Sequence, residues 1–507
     1  MDASPTIQLD KADNVIVAKQ PIEKGYLLQE LDIATLEDIP QGHKIAARPI
    51  AKGEAVLKYN TIIGYAGEDI APGKWVHSHN LKIDTIDKDY RFAQDYLAAE
   101  ILPPEERAKF MGYVRKDGRV GTRNHIGIFV TVNCSATVAR KLSRYFDAER
   151  LTDYPNVDGV TAFIHHQGCG MEMTGEPMDL LRRTLSGYIR HPNIAGAVVL
   201  SLGCERNNVK SFMEQESLQA GKMLHVITMQ ETGGTMTAFE AGKTAIKQML
   251  AEANNIQRQP CSAEHLMIGL QCGGSDGFSG LSANPALGRA VDILVTHGGT
   301  AILSETPELY GVEHTLTARA KTPEIGQKFI DRMNWWLEYN SGRDTQINGR
   351  VSPGNNAGGI ANIIEKSLGG AKKGGSTGIN AVYEYARPVS EHGLVIMDTP
   401  GYDPVSATGQ IAGGANLICF TTGRGSCFGS YPAPTIKLAS NSAMFARMTG
   451  DMDINCGQVI DGSKNLDEMG AEIFEHILAI ASGKASKSEE MEVGEDEFVP
   501  WQIGVLA

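Results

Sequence analysis

Four cysteines in this chain of 507 residues share one setting. Each follows an apolar run that reads as a strand and precedes a polar or glycine-rich turn. They are Cys134 in Val132-Asn133-Cys134-Ser135, Cys169 in Gln167-Gly168-Cys169-Gly170, Cys204 in Leu202-Gly203-Cys204-Glu205, and Cys272 in Gln271-Cys272-Gly273-Gly274. Open parallel sheets bind ligands just outside the carboxyl ends of their strands, so four thiols there could converge on one site. Thiolates suit iron or zinc and can hold iron–sulfur clusters. The plainer reading is that a free cysteine is a small buried hydrophobe. Cys261, Cys419, Cys427 and Cys456 lack the shared setting and are read that way.

Histidines form a second group: His43 in Gln41-Gly42-His43-Lys44, the pair His77 and His79 in Trp75-Val76-His77-Ser78-His79-Asn80, and His165-His166 before Cys169. On a strand, side chains alternate, so His-x-His puts both imidazoles on one face. Such a pair can grip a divalent ion or hold a base beside one near neutral pH. A third group is the glycine-rich loops Gly273 to Gly277, Ser352 to Asn356 and Thr421 to Gly425. These bring backbone N–H groups close to an anion, and Arg424 could clamp a carboxylate with two hydrogen bonds. None has the form of an ATP phosphate loop or of a dinucleotide-binding fingerprint after a strand, so neither ATP nor NAD is supported. Ordinary turns would explain any one loop. They explain less well why Asp276, Asn284, Glu305 and Asn355 all lie in or beside such turns.

The elements that must position these groups change character along the chain. The first 90 or so residues repeat a turn signal loosely, at Pro21 to Gly25, Asp38 to Gly42, Pro49 to Gly53 and Asp69 to Gly73, between short β-rich runs such as Val15–Ala18 and Val56–Tyr59. That punctuation predicts a compact all-β module, taken as residues 1–92. The charged stretch containing Pro103-Pro104-Glu105-Glu106 reads as a linker over 93–111, with a short helix before it. Beyond it, apolar runs alternate with helical patterns, the signature of βαβ units and a parallel sheet. Strands are expected at His125–Val132, Val160–Ile164, Ala195–Leu202, His265–Leu270, Ala301–Leu303, Leu394–Met397 and Leu417–Phe420. Helices are expected at Thr137–Phe146, Ala238–Ala253, Pro323–Leu337 and Leu466–Ala481. A polar stretch around Asn254 to Ser262 divides a middle domain, 112–257, from a C-terminal domain, 258–507. The acidic run from Lys484 to Glu497 is expected to be solvated.

Composition narrows the function classes. A formal net charge of −13 argues against a nucleic-acid footprint. No apolar run is long enough to cross a bilayer and the first residues lack a signal-peptide pattern, so a cytoplasmic location is expected. In that compartment eight cysteines are thiols or metal ligands rather than a disulfide framework.

Together the motifs resemble the altronate dehydratase and galactarate dehydratase family, to which the sulfolactate sulfo-lyases are related. The resemblance runs over nearly the whole chain. It is carried in order by Gln41-Gly42-His43-Lys44, Lys58-Tyr59, Ile63-Gly64-Tyr65-Ala66, His77-Ser78-His79-Asn80, Gly112-Tyr113, Gly121-Thr122-Arg123-Asn124, Gly203-Cys204-Glu205, Cys272-Gly273-Gly274-Ser275-Asp276, Ser279-Gly280, Ala283-Asn284-Pro285, Ser352-Pro353-Gly354-Asn355 and Thr422-Gly423-Arg424-Gly425. It implies an α/β chain with an N-terminal β-clip (SAF) domain, a middle α/β domain that makes a homodimer, and a C-terminal Rossmann-like parallel sheet with a divalent metal site. It further implies dependence on iron, and the cofactor expected is Fe²⁺, with Mn²⁺ or, from the thiols, an iron–sulfur cluster as alternatives. The paired histidines look more like the altronate and sulfo-lyase branches than the galactarate branch. His166-Gln167 and Ser426-Cys427-Phe428 depart from the family pattern beside the presumed site.

The chemistry expected is loss of the C2 proton and the C3 hydroxyl from a sugar acid, giving a 2-keto-3-deoxy acid. Abstraction beside a carboxylate piles a second negative charge onto an anion, so a Lewis-acid metal or fixed cations must stabilise the intermediate. The expected ligands are some of Cys134, Cys169, Cys204, Cys272, Asp276 and Glu305. His43, His77 or His79 would be base and acid. Lys44, Arg123, Asn124, Ser275, Asn284, Asn355 and Arg424 would bind substrate. The alternatives are an aldarate dehydratase, a sulfite-expelling lyase, and a non-catalytic sugar-acid or iron-binding protein.

Overall fold

The computed structural model describes residues 4–83, 90–343 and 351–504. In the first domain the repeated turn signals separate nine short strands: β1 (Thr6–Ile7), β2 (Val15–Ala18), β3 (Leu27–Leu28), β4 (Ile33–Ala34), β5 (Lys44–Ala46), β6 (Ala55–Lys58), β7 (Thr61–Ala66), β8 (Trp75–Val76) and β9 (Leu81–Lys82). They pair in three small antiparallel sheets, ordered β1-β2-β5-β8, β6-β7-β9 and β3-β4. The turns close on glycines in the left-handed region, where a side chain is strained. At Gly73 a Cβ would also fall 2.1 Å from the Ala34 carbonyl oxygen.

The segment read as a linker is stitched to the C-terminal domain. Ala93 N–H donates to the Thr317 carbonyl at 3.0 Å and Leu102 N–H to that of Thr296 at 2.8 Å, and Arg107 pairs with Glu264. The short helix expected there is absent among the described residues 90–103, and a 3₁₀ turn, Pro104–Glu106, stands in its place; the stretch 84–89 lies outside the described residues. β10 (Lys109–Val114) starts inside the expected linker. It pairs antiparallel with β11 (Val120–Gly121) and with β16 (Gln259–Ser262), so this small sheet spans both expected boundaries. Its cause is apolar: Phe110 and Tyr113 point inward and are buried.

The middle domain is a four-stranded parallel sheet, β12 (His125–Val130), β13 (Gly159–Phe163), β14 (Ile194–Ser201) and β15 (Leu224–Thr228), in the order β13-β12-β14-β15. The C-terminal domain is a seven-stranded parallel sheet. Its strands are β17 (Met267–Cys272), β18 (Thr300–Leu303), β19 (Ile379–Tyr383), β20 (Gly393–Met397), β21 (Leu417–Thr422), β22 (Thr435–Ala439) and β23 (Ile454–Asn455), ordered β19-β20-β18-β17-β21-β22-β23. Helices cover both faces of these strands, which explains why they read as continuous apolar runs rather than alternating ones.

The two sheets share a core. Phe129, Phe163 and Tyr188 belong to one buried cluster with Met397, Ile418 and Phe420. The join is made by the helices Glu176–Ile189 and Asp403–Gly413, which cross at Gly187, where a Cβ would lie 2.3 Å from the Ala412 carbonyl oxygen. The acidic tail is docked rather than solvated. Ser486 and Glu489 form a capping box on Lys487–Glu490, Glu489 pairs with Arg123 at 2.6 Å, and Phe498 and Trp501 are buried. Those two aromatics outweigh the charge around them as a determinant of where the tail lies.

Candidate active site

β17 lies where the C-terminal sheet changes direction, with β18 on one side and β21 on the other. Such a switch point opens a crevice at the strand ends. Cys272 closes β17 there. Glu305 follows β18 in the left-handed region, at φ 65°, a strained conformation for a residue with a side chain; its N–H is held by Thr399 Oγ1 at 2.9 Å. Glu308 comes three residues on, in the 3₁₀ turn Thr306–Leu309. Two lysines approach from the opposite wall, Lys366 on the helix Ile363–Ala371 and Lys373 in the turn that follows it.

These groups interlock. Lys373 Nζ donates to Cys272 Sγ at 2.9 Å and to Glu305 Oε2 at 3.1 Å. Lys366 pairs with Glu308 at 2.6 Å. Donor atoms of Cys272, Glu305 and Glu308 lie within 4.8 Å of one another. Burial pushes the Cys272 thiol up to about 12 and the Glu305 carboxyl up to about 8, in both cases against the pull of the Lys373 charge. Burial opposes the two ammonium charges, but the surrounding acidic groups outweigh it and hold both lysines above their ordinary values. Asp403 is raised to about 6, first by burial and then by Glu308. The cluster borders a cleft of about 350 Å³, whose rim includes Ser352, Asn355, Asp403 and Arg424.

The histidines sit behind one wall of this cleft. Ser352 caps the short helix Pro353–Ala357, and Asn355 lines the cleft. From the β domain, His43 Nε2 meets the Ala357 carbonyl at 3.2 Å and Ser78 Oγ meets Asn356 Nδ2 at 3.5 Å. β8 stops at Val76, so His77 and His79 lie in the following turn and not on a strand as expected: His77 is buried and His79 exposed. Trp75 gathers the rings instead, stacking on His77 at 5.5 Å and meeting His79 and His43 edge-on at 5.4 and 5.1 Å. Burial, with Lys44 adding to it, lowers His77 to about 4, so its imidazole is neutral at pH 7. Beneath this layer Glu365 bridges Lys44 at 2.8 Å and Lys58 at 2.6 Å, all three buried.

Several residues expected to touch substrate or metal are committed to the fold. The Arg123 guanidinium meets Glu489 and the carbonyls of Thr122, Ile480 and Lys484, which occupies its fork and leaves none for a ligand carboxylate. Asn124 ties down Asn156 and Ala253. Lys44 is spent on Glu365 and Gly359. Asn284 donates to the Gly369 carbonyl and accepts from Thr421. Asp276 collects Ser279, Ser440 and Asn441 and so organises the loop. Ser275 borders a smaller cleft beside Tyr59 and Lys58. Of the expected set, Cys272, Glu305, Asn355 and Arg424 border or adjoin the Cys272 cleft, while Cys134, Cys169 and Cys204 are exposed on the middle domain.

Sequence reading passed over Glu308, Lys366, Lys373 and Asp403. The spacing Glu305-x-x-Glu308, two carboxylates on one turn, was the signal available for the first. For the lysines it was the separation of two helical turns, which puts both on one side of a helix.

Residues 4–84 match the Altronate/galactarate dehydratase SAF domain, 112–254 the D-galactarate dehydratase/Altronate hydrolase second domain, and 263–506 the D-galactarate/Altronate dehydratase C-terminal domain. The chain is 34% identical to the altronate dehydratase of Bacillus subtilis (strain 168), covering 96% of each chain. It is also 34% identical to the altronate dehydratase of Escherichia coli (strain K12), over 95% of this chain and 96% of that one. For the galactarate dehydratase (L-threo-forming) of the same organism the identity is 34%, over 94% and 93%. With three matching domains in order and near-complete coverage at that identity, this chain belongs to the altronate/galactarate dehydratase family.

Proposed function

We propose that the chain is a hydro-lyase that dehydrates a sugar acid, an altronate-type aldonate first, at the Cys272 cleft, and that it works in the cytoplasm as a homodimer. The observation that carries this reading is the pairing of two lysines with a thiol and two carboxylates at a sheet switch point. That arrangement concentrates fixed positive charge where an enediolate must be stabilised.

The cleft also fits a divalent ion. Glu305 Oε1 and Glu308 Oε2 are buried without a hydrogen-bond partner among the described residues, which is costly unless a cation satisfies them. Cys272, Glu305 and Glu308 would hold Fe²⁺ or Mn²⁺, which as a Lewis acid would add to the stabilisation of negative charge. In this reading Arg424 and Asn355 bind the substrate carboxylate. Asp403 takes the C2 proton. Lys366, kept charged by Glu308, gives a proton to the C3 hydroxyl, which leaves as water, and the enol tautomerises to the 2-keto-3-deoxy acid. In this reading His43 and His77 brace the helix that carries Asn355, His79 rests at the surface against Trp75, and none of the three moves a proton.

An anaerobic screen of aldonates and aldarates with added Fe²⁺, read by keto-acid formation, tests this. Turnover of at least one sugar acid is expected. Sulfite release from sulfolactate without keto-acid formation from any sugar acid would replace the reading with a sulfo-lyase.

A further inference from the structure

A second switch point lies in the middle domain. The chain starts its sheet at β12 in the interior and places β13 on one side and β14 on the other. The turn after each of these three adjacent strands presents an exposed thiol: Cys134 after β12, Cys169 after β13 and Cys204 after β14. Val130 is in register with Leu200, so Cys134 and Cys204 stand equally far beyond a matched pair.

The three turns are sewn to one another. Asn133 N–H donates to the Gln167 carbonyl at 3.2 Å, and Asn207 N–H donates to that of Gly168 at 2.9 Å. Asn207 Nδ2 reaches the Thr131 carbonyl at 3.1 Å. Gly168 has φ 102°, and a Cβ on it would fall 2.1 Å from the Thr131 carbonyl oxygen, so glycine is what lets the Cys169 turn lie against the Cys134 turn. Gly203, at φ 125°, shapes the turn before Cys204, where a Cβ would fall 2.6 Å from Gln230 Oε1. The buried Glu205 accepts from Thr131 Oγ1 and Ser201 Oγ, both at 2.5 Å, and from Gly203 N–H at 2.7 Å. A buried polar frame thus fixes three turns whose thiols contribute nothing to the core.

The donor set bears on the kind of group, because three thiols on joined turns suit soft metal centres. Among the described residues only Cys272, Glu305 and Glu308 bring three donors within 4.8 Å of one another, so at least one pair of the three exposed sulfurs is wider than that. Around a single tetrahedral ion with bonds of about 2.3 Å the ligand sulfurs would be roughly 4 Å apart. A cubane cluster holds its ligands farther apart, because its irons and sulfides fill the space between them.

We propose that Cys134, Cys169 and Cys204 ligate three irons of a four-iron, four-sulfide cluster, with the fourth iron facing solvent and open to an oxygen ligand. Each thiol gives up its proton on binding, and the cluster enters as a formed unit with no electron transferred. This site is separate from the Cys272 cleft and does not depend on the sugar-acid reading.

The test uses the full chain, purified anaerobically and reconstituted with ferric iron, sulfide and dithiothreitol. Iron and acid-labile sulfide are counted per chain, and the dithionite-reduced sample is examined by electron paramagnetic resonance. Cys134→Ser, Cys169→Ser and Cys204→Ser are each expected to cut labile sulfide at least ~10-fold and remove the cluster signal, with circular dichroism unchanged. Cys272→Ser is expected to keep both. Alanine at the same three positions repeats the test without a hydroxyl ligand. Labile sulfide that survives all three substitutions, that vanishes only with Cys272→Ser, or that is missing from a wild type that still binds iron would overturn the proposal.

Discussion

β12 and β17 hold equivalent places, each at the direction change of a parallel sheet with a cysteine at its carboxyl end. Their surroundings are opposite. Cys272 is buried between Lys373 and Glu305, and its neighbours are long side chains of both signs from other strands and from a helix. Cys134 is exposed, and its neighbours are glycines, asparagines and two further exposed thiols on adjacent turns. The same strand-to-turn device therefore builds an enclosed charged site in one domain and an open soft-ligand surface in the other. What decides between them is the side chains that reach in from elsewhere, not the cysteine motif.

The comparison is broken most severely by removing a cation from the enclosed edge. Lys373→Met leaves Glu305 buried with no charge partner and takes away a fixed positive charge at the reacting centre. Keto-acid production is expected to fall by about 10²–10³-fold, and a urea melt should show a loss of only about 1–3 kcal/mol, because burial already raises Glu305 to about 8 and the carboxyl protonates once Lys373 is gone. A Lys373→Met enzyme with turnover near wild type would mean that the cleft is not where the chemistry occurs.

Next comes the support beneath the histidine layer. Glu365→Gln leaves Lys44 and Lys58 facing each other in the interior, with an expected cost of about 3–5 kcal/mol. Its pH dependence has a definite sign. Although burial opposes it, Lys44 and Lys58 hold the Glu365 carboxyl well below the usual carboxylate range. Its folded-state value is depressed, so the stability it contributes is present above the unfolded-state value of about 4.3 and is lost as pH falls below it. Urea melts at pH 7 and pH 3 should show the gap between wild type and Glu365→Gln narrowing at the lower pH.

A smaller effect is expected from the tail. Arg123→Ala removes the clamp on Glu489 together with three carbonyl contacts. A loss of about 2–4 kcal/mol with KM unchanged would fit a residue that holds the fold. A rise in KM at unchanged stability would restore it as a substrate ligand.

What the sequence made legible follows from the range of the forces involved. The helix Leu466–Ala481 appears with the bounds expected of it, and the seven expected strands lie within about two residues of their apolar runs, because periodicity and turn glycines are local signals, whereas β15, β19, β22 and β23 were not among those expected. Arg123 was misplaced because its partner Glu489 is far away in the chain, and a guanidinium looks the same in sequence whether it meets a ligand or a carboxylate of its own fold. Lys373 was passed over for the same reason, since its meaning comes from Cys272 and Glu305. His77 and His79 lost their strand because Asn80 bonds back to the His77 N–H and the Trp75 carbonyl, a turn that ends β8 and that no alternation pattern reveals.

The smallest effect sharpens the contrast between the two edges. Cys134, Cys169 and Cys204 are exposed and bury no apolar surface that serine would forfeit. In the metal-free chain, serine at any one of them should change the urea midpoint by no more than about 0.5 kcal/mol equivalent. Cys272 is 5% exposed and bonded to Lys373, so serine there trades a thiol in a packed, charged pocket for a smaller hydroxyl and should cost about 1–2 kcal/mol. Equal costs at the two edges would mean that the exposed thiols are packed after all, and that the middle-domain edge is a second interior rather than an open binding surface.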